Sequence, residues 1–256
     1  MTLLLSFERA RRAAFPVALC VGLAAVLTGC AEDPDEGTNG VGKLSAAQIE
    51  KKAQTAAGGA DSVRLSGALV VKGETYKLNM RLKETGGMGS VSSKDSTFML
   101  LRVGDALYLK ADAGFWSHTG EDGKESAEPS ESDAEVAGKL QDKYVKIPRD
   151  DPSYQQMSGF TDMKVLLDGL LTLHGTVAKG DRDKIGGVRT IKITGGEGDG
   201  GTLDVALEGD PYPLQLVRAG GAGTLTLADW GKDFALEAPA KGQTVDYGSR
   251  LPGGGE

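Results

Sequence analysis

Alternation of apolar and polar positions dominates the chain from residue 63 onward. Val63, Leu65, Gly67, Leu69 and Val71 form a first odd-numbered set. Tyr76, Leu78, Met80 and Leu82 form a second set, set against Thr75, Lys77, Asn79 and Arg81. A period of two is that of a half-buried antiparallel strand. Lys72-Gly73-Glu74 between the two sets predicts a hairpin turn. Residues 86–93 are a weaker strand of small residues. Residues 97–103 and 105–111 make another hairpin around Gly104-Asp105, and Phe115-Trp116 closes this group. A second group follows at 175–180, 188–194, 202–208, 214–219 and 224–228, each run bounded by Gly, Asp or Pro turns. Within it Leu203, Val205 and Leu207 alternate with Thr202, Asp204 and Glu208. Residues 234–238 and 243–247 are the last extended pieces.

Helical spacing appears elsewhere. Ser45 and Gln48 have capping-box spacing, Ile49, Ala53 and Ala56/Ala57 share a face, and Gly58-Gly59 end the run. Val136, Leu140 and Tyr144 predict a helix over 132–144 that ends at Ile147-Pro148, and 153–158 predicts a short helical turn. Met163, Leu166, Leu167 and Leu170 predict a helix over 161–173, weakened by Gly169. Runs of strands separated by a helical block indicate α+β with an antiparallel sheet. A sheet of this length coils and closes or half closes. The helices must bury their apolar faces, and the concave face of the sheet is where they can.

The first thirty residues follow neither pattern. Arg9, Arg11 and Arg12 precede the uncharged run 13–28, which is shorter than the ~20 residues a membrane-spanning helix needs. Leu27-Thr28-Gly29-Cys30 then resembles a bacterial lipobox. This predicts a lipoprotein signal peptide over 1–29, with diacylglycerol on the thiol of Cys30 as the membrane attachment. Two or three acyl chains would anchor stably. Residues 30–43 are then the lipid-bearing cysteine and a flexible acidic, Gly-rich tether. Residues 44–250 are a single domain and 251–256 a disordered tail. The chain's two cysteines are Cys20 and Cys30. The first leaves with the signal peptide and the second carries lipid, so neither a disulfide nor a Cys-ligated metal is expected.

Composition narrows the function. The 38 glycines among 256 residues are about twice the average usage of ~7%, yet no Gly-X-Y period occurs. They read as punctuation between short strands. The formal net charge of −7 becomes more negative once the arginines of the leader are removed. Nucleic-acid binding and a polybasic lipid surface are therefore not expected.

A search for catalytic chemistry returns little. His118 and His174 lie in no metal-binding spacing, and neither a Gly-x-Ser-x-Gly elbow nor a Ser-x-x-Lys motif occurs. Residues 196–201 match Gly-x-Gly-x-x-Gly in form, but strand pattern follows where a dinucleotide loop needs a helix. That places them in a hairpin loop. Asp181, Asp183 and Gly186 mimic the start of an EF-hand loop and lack its later ligands, so a turn between strands is the better account. The acidic run within 121–135 reads as solvated. No catalytic residue, metal site or cofactor is predicted, and the chain is not expected to be an enzyme.

Taken together, several stretches resemble the LolA-like lipoproteins of actinobacteria, the LppX/LprG type. They are the lipobox at 27–30, Ser-Val-Arg-Leu-Ser-Gly at 62–67, Gly-Asp-Ala-Leu-Tyr-Leu-Lys at 104–110, Lys-Tyr-Val-Lys-Ile-Pro at 143–148, and Leu-Ala-Asp-Trp-Gly at 227–231 followed by Ala238-Pro239. The resemblance implies a twisted antiparallel half-barrel whose concave face is covered by helices, with a hydrophobic cavity between them for acyl chains of a lipid or glycolipid. The candidate lining is Tyr76, Leu78, Met80, Leu82, Leu203, Val205, Leu207, Leu214 and Leu216 on the sheet, and Met163, Leu166, Leu167 and Leu170 on the covering helix. The chain is further expected to be a monomer, and the lipobox places it lipid-anchored at the outer face of the cytoplasmic membrane after export. The alternative is a non-enzymatic envelope sensor or accessory lipoprotein acting through a protein partner. A filled and a hollow sheet face have the same binary pattern, so the residues alone leave both open.

Overall fold

The computed structural model describes residues 34–94, 96–112, 115–116 and 131–246. The expectations about the leader, Cys30, His118, the loop through 130 and the tail concern residues outside these.

Twelve strands form one sheet: β1 Ser62–Val71, β2 Glu74–Lys83, β3 Gly86–Ser92, β4 Thr97–Val103, β5 Ala106–Ala111, β6 Tyr144–Ile147, β7 Val177–Ile185, β8 Val188–Gly195, β9 Thr202–Ala206, β10 Pro213–Val217, β11 Gly223–Ala228 and β12 Thr244–Asp246. Among the described residues, helices of seven or more residues accompany it at α1 Ala46–Gly58, α2 Glu131–Leu140, α3 Pro152–Ser158 and α4 Met163–Leu170. The order across the sheet is β12-β6-β5-β4-β3-β2-β1-β11-β10-β9-β8-β7. Two meanders thus run outward from the central β1–β11 pair. Every pairing is antiparallel except β12 with β6. The sheet is strongly curved and does not close, which makes the fold an α+β half-barrel. Its edges are blunted in two ways: β12 has three residues, and β7 is charged, exposed and bulged.

Register explains the core. One row of directly opposed residues crosses eight strands: Leu203, Leu216, Leu225, Gly67, Leu78, Val91, Phe98 and Ala111. A second row runs Leu227, Leu65, Met80, Gly89, Leu100, Leu109, Val145 and Val245. Directly opposed residues share a face, so both rows line the covered side.

The helical layer follows from topology. β6 and β7 lie toward opposite edges, so the chain between them must cross the sheet, and it does so over the apolar face. α3, a 3-10 turn Gly159–Thr161 and α4 form this crossing. α1 lies on β7, β8 and β10 and touches α4. It starts with the predicted capping box: the Ser45 hydroxyl accepts from Gln48 N at 3.4 Å and Gln48 Oε1 accepts from Ser45 N at 3.0 Å. Its buried residues are Ala46, Ile49, Ala53 and Ala57.

Several segments differ from the sequence expectation. The helix expected over 132–144 stops at Leu140, because Asp142 turns the chain at φ 60° and Tyr144–Ile147 pairs with β5 instead. The helix expected over 161–173 is shorter, with Asp162 capping α4 by accepting from Val165 N at 2.9 Å. Asp181 and Asp183 lie inside β7, and the turn is at Gly186-Gly187. Residues 234–238 are not a strand. Residues 35–43, read from sequence as tether, are docked. Asn39 donates its side-chain amide to the carbonyls of Ala206 at 3.1 Å and Gly209 at 3.0 Å, Arg182 pairs with Asp35 at 2.6 Å, and Val41 is buried.

Candidate functional site

The Gly159–Thr161 turn is seated by two residues of the sheet. Arg102 donates from Nε to Thr161 Oγ1 at 3.1 Å and from Nη2 to the Thr161 carbonyl at 2.9 Å, and it lies 3.6 Å from Asp162. Gly87 supplies the space. A Cβ there would stand 2.6 Å from Leu82 Cδ2 and 3.1 Å from the Thr161 carbonyl oxygen. A side chain at this position would lift the turn. After α4, the 173–174 backbone packs into the glycine run between β8 and β9. His174 N donates to Gly200 O at 3.0 Å, and a side chain at Gly195 or Gly200 would run into the His174 carbonyl. The glycine run therefore serves backbone packing, as the connection of a hairpin.

Two openings flank this helical crossing. The first is an apolar chamber of about 430 Å³, open to solvent on one side, at the β1–β2 hairpin end of the covered face. Leu69, Tyr76, Leu78, Val91 and Phe98 line it from the sheet and Phe160 from the turn. Lys72 and Glu74 stand at its rim. Phe98 packs against Phe115 at 5.4 Å between ring centroids, and Phe115 meets Trp116 edge-on at 5.2 Å. The Tyr76 hydroxyl donates to Glu74 Oε2 at 2.6 Å. That carboxylate raises the tyrosine above its ordinary value, with burial adding to the effect.

The second opening is a groove of about 550 Å³ between α1 and α4. Ala57, Met163, Leu167 and Leu171 form its apolar lining, and Asp61, Glu84, Lys164 and Asp168 its polar one. Gln54 on α1 spans toward α4 by donating to the Leu171 carbonyl at 3.1 Å, and Glu50 accepts from Leu173 N at 3.1 Å. Lys164 pairs with Asp168 at 2.8 Å, and that hydrogen bond raises the lysine.

The predicted lining residues therefore divide. Tyr76 and Leu78 face the chamber, and Met163 and Leu167 face the groove. Met80, Leu82, Leu170, Leu203, Val205, Leu207 and Leu216 are packed into the core, and Leu166 lies half-buried against it. Leu214 sits where the β9–β10 register shifts, half-buried and outside the core cluster. Leu69, Val91, Phe98 and Phe160 are additions to the expected lining. Leu69 belongs to the first odd-numbered set and Val91 and Phe98 to expected strands, so alternation reaches them. Phe160 has no periodic signal. Among the described residues no three His, Cys, Asp or Glu side chains come together as a metal site would require.

Set beside solved structures, the chain is similar to LprF from Mycobacterium bovis. That likeness has a TM-score of 0.49 at 15% identity, covering 76% of this chain and 97% of LprF. The Mycobacterium tuberculosis lipoprotein LppX gives a TM-score of 0.40 at 16% identity, over 74% of this chain and 97% of its own. An uncharacterized conserved protein from Thermus thermophilus gives 0.36 at 10% identity, over 78% and 98%. No protein-family model matches the sequence, and a comparison with curated proteins finds no match.

Proposed function

We propose that this chain is a membrane-anchored envelope lipoprotein that binds an acyl chain of a lipid or glycolipid between its sheet and its helical crossing. The observation that supports this most directly is the chamber of about 430 Å³ with six apolar or aromatic lining side chains. Such a cavity lined by hydrophobes with few polar groups at its mouth suits an alkyl chain with a polar end. Burial of alkyl carbons contributes about 0.8 kcal/mol per CH₂, so even a partly inserted chain has enough to bind. The lipobox ending at Cys30 supports the location: a diacylglycerol there would hold the domain at the outer face of the cytoplasmic membrane.

Native mass spectrometry of detergent-extracted protein tests the reading. Bound acyl lipid is expected, together with saturable uptake of a fluorescent fatty acid. Phe160→Glu puts a charge in the chamber wall and is expected to weaken that uptake at least tenfold. Lipid-free protein with no fatty-acid uptake would sink the proposal.

A further inference from the structure

The opposite face of the sheet carries a different kind of site. Arg64 on β1 and Arg81 on β2 are directly opposed in register. Opposed side chains leave the same face with Cβ atoms roughly 5 Å apart, and like charges so placed repel. The protein relieves only one of them. Arg64 donates from Nε to Asp229 Oδ2 at 2.7 Å. This contact uses one edge of the guanidinium and leaves its terminal nitrogens for other acceptors. The Arg81 side chain is exposed and has no hydrogen-bond or ion-pair partner among the described residues.

Two more cations stand beside them. Lys232 Nζ contacts Asp229 Oδ1 at 2.9 Å. Lys83 Nζ contacts Asp233 Oδ1 at 3.0 Å and the Phe234 carbonyl at 2.8 Å, with its charge 5.0 Å from the Phe234 ring centroid. Three of these cations thus share two carboxylates while Arg81 pairs with neither, and the local balance is positive in a chain that is acidic overall. Beside Lys83 is a hollow of about 200 Å³ lined by Arg64, Arg81, Lys232 and Phe234 together with both carboxylates, Asp229 and Asp233, so three cations and two carboxylates face it. That is room for several waters at ~30 Å³ each.

The rim is fixed by the backbone. The chain reverses at Asp229, φ 53°, and at Gly231, φ 70°. Gly231 N then donates to Ser62 O at 3.0 Å, and the buried Ser62 hydroxyl donates to Lys232 O at 2.8 Å. The Leu-Ala-Asp-Trp-Gly stretch noted in the sequence is this reversal.

We infer that the Arg64–Arg81 hollow binds a phosphate-type oxyanion. A tetrahedral anion seated there accepts from the free edge of Arg64 and the fork of Arg81, the geometry in which guanidinium groups bind phosphate best. It also removes the cross-strand repulsion. Free phosphate and the headgroup of a phosphorylated lipid offer the same chemistry.

The test titrates the full chain with inorganic phosphate at constant ionic strength, reading heat of binding and melting temperature. A parallel titration uses a short-chain phosphatidic acid below its micelle concentration. Saturable binding of either probe is expected, weakened at least tenfold in Arg81→Ala and unchanged in Lys77→Ala. Because Arg81 has no partner among the described residues, its loss leaves folding intact. Binding of both probes points to free phosphate as sufficient, and binding of the lipid alone points to a headgroup. Binding of neither, or binding that survives Arg81→Ala, overturns the inference. Fatty-acid uptake through the chamber is independent of Arg81 and keeps the two proposals distinguishable.

Discussion

Where α1 lies on β7, β8 and β10 it meets the sheet through Ala46, Ile49, Ala53 and Ala57, all buried. Where the crossing lies on β2, β3 and β4 it does so through the Gly159–Thr161 turn, held by Arg102 and admitted by Gly87. The first contact is close because small side chains let helix and sheet approach, and Leu203, Val205, Leu216 and Leu225 beneath it are at most 2% exposed. The second is propped by polar anchors at one place and leaves Phe98, Tyr76 and Phe160 only partly buried beside it. One curved sheet thus has a filled half and a hollow half. The difference lies in what covers the sheet, since both halves present the same alternating apolar rows.

The strongest way to break this comparison is to truncate one large side chain in each half. Leu203→Ala, in the filled half, is expected to cost about 2–5 kcal/mol, the transfer loss plus a cavity that cannot collapse. Phe160→Ala removes more atoms from the hollow half and is expected to cost less than Leu203→Ala, because one side of the ring already faces the chamber. Urea unfolding monitored by circular dichroism measures both. Equal costs would mean that the chamber is as tightly packed as the core. Next in size is Arg102→Ala. Its guanidinium is 13% exposed and donates twice to Thr161. Hydrogen bonds from charged groups contribute about 1.5–3 kcal/mol, so a loss in that range is expected. Amide exchange at residues 159–162 should accelerate with it, and exchange in α1 should not. Acceleration in α1 as well would show that the two covers move as one body.

The strands are legible from residues such as Leu78, Met80 and Leu82, because a period of two persists wherever one face is buried. α1 is legible through Ser45 and Gln48, whose cap is local. Spacing alone carries the helix on to Tyr144, where β6 begins, because the partner of β6 is β5, more than thirty residues earlier in the chain, and local spacing does not report such a pairing. Residues 35–43 read as tether for the same reason: Asn39 reaches acceptors at Ala206 and Gly209. The chamber is half legible. Alternation identifies Tyr76 and Leu78 as inward, but whether an inward residue is covered depends on Phe160 and on the missing side chain at Gly87. Arg64 and Arg81 are unremarkable outward positions until register sets them opposite each other.

The smallest effect concerns the rim of the outer face, where the fold depends on neither cover. Lys232 first, and Arg64 with it, hydrogen-bond the Asp229 carboxylate and lower it from its ordinary 3.8 to about 2. A carboxylate depressed in the folded state adds stability that is complete above its unfolded value and lost as pH falls through the folded one. The contribution of Asp229 is therefore constant above about pH 4 and disappears between there and about pH 2. Asp229→Asn keeps a residue type that tolerates the left-handed conformation and removes the charge. Exposed ion pairs contribute up to about 1 kcal/mol each, so at pH 6 the variant is expected to unfold at slightly lower urea. The two unfolding curves should converge as the pH is taken from 4 to 2. A difference that persists at pH 2 would mean that Asp229 acts through the backbone reversal it caps rather than through its charge. In that case the rim of the cationic hollow is set by chain geometry alone.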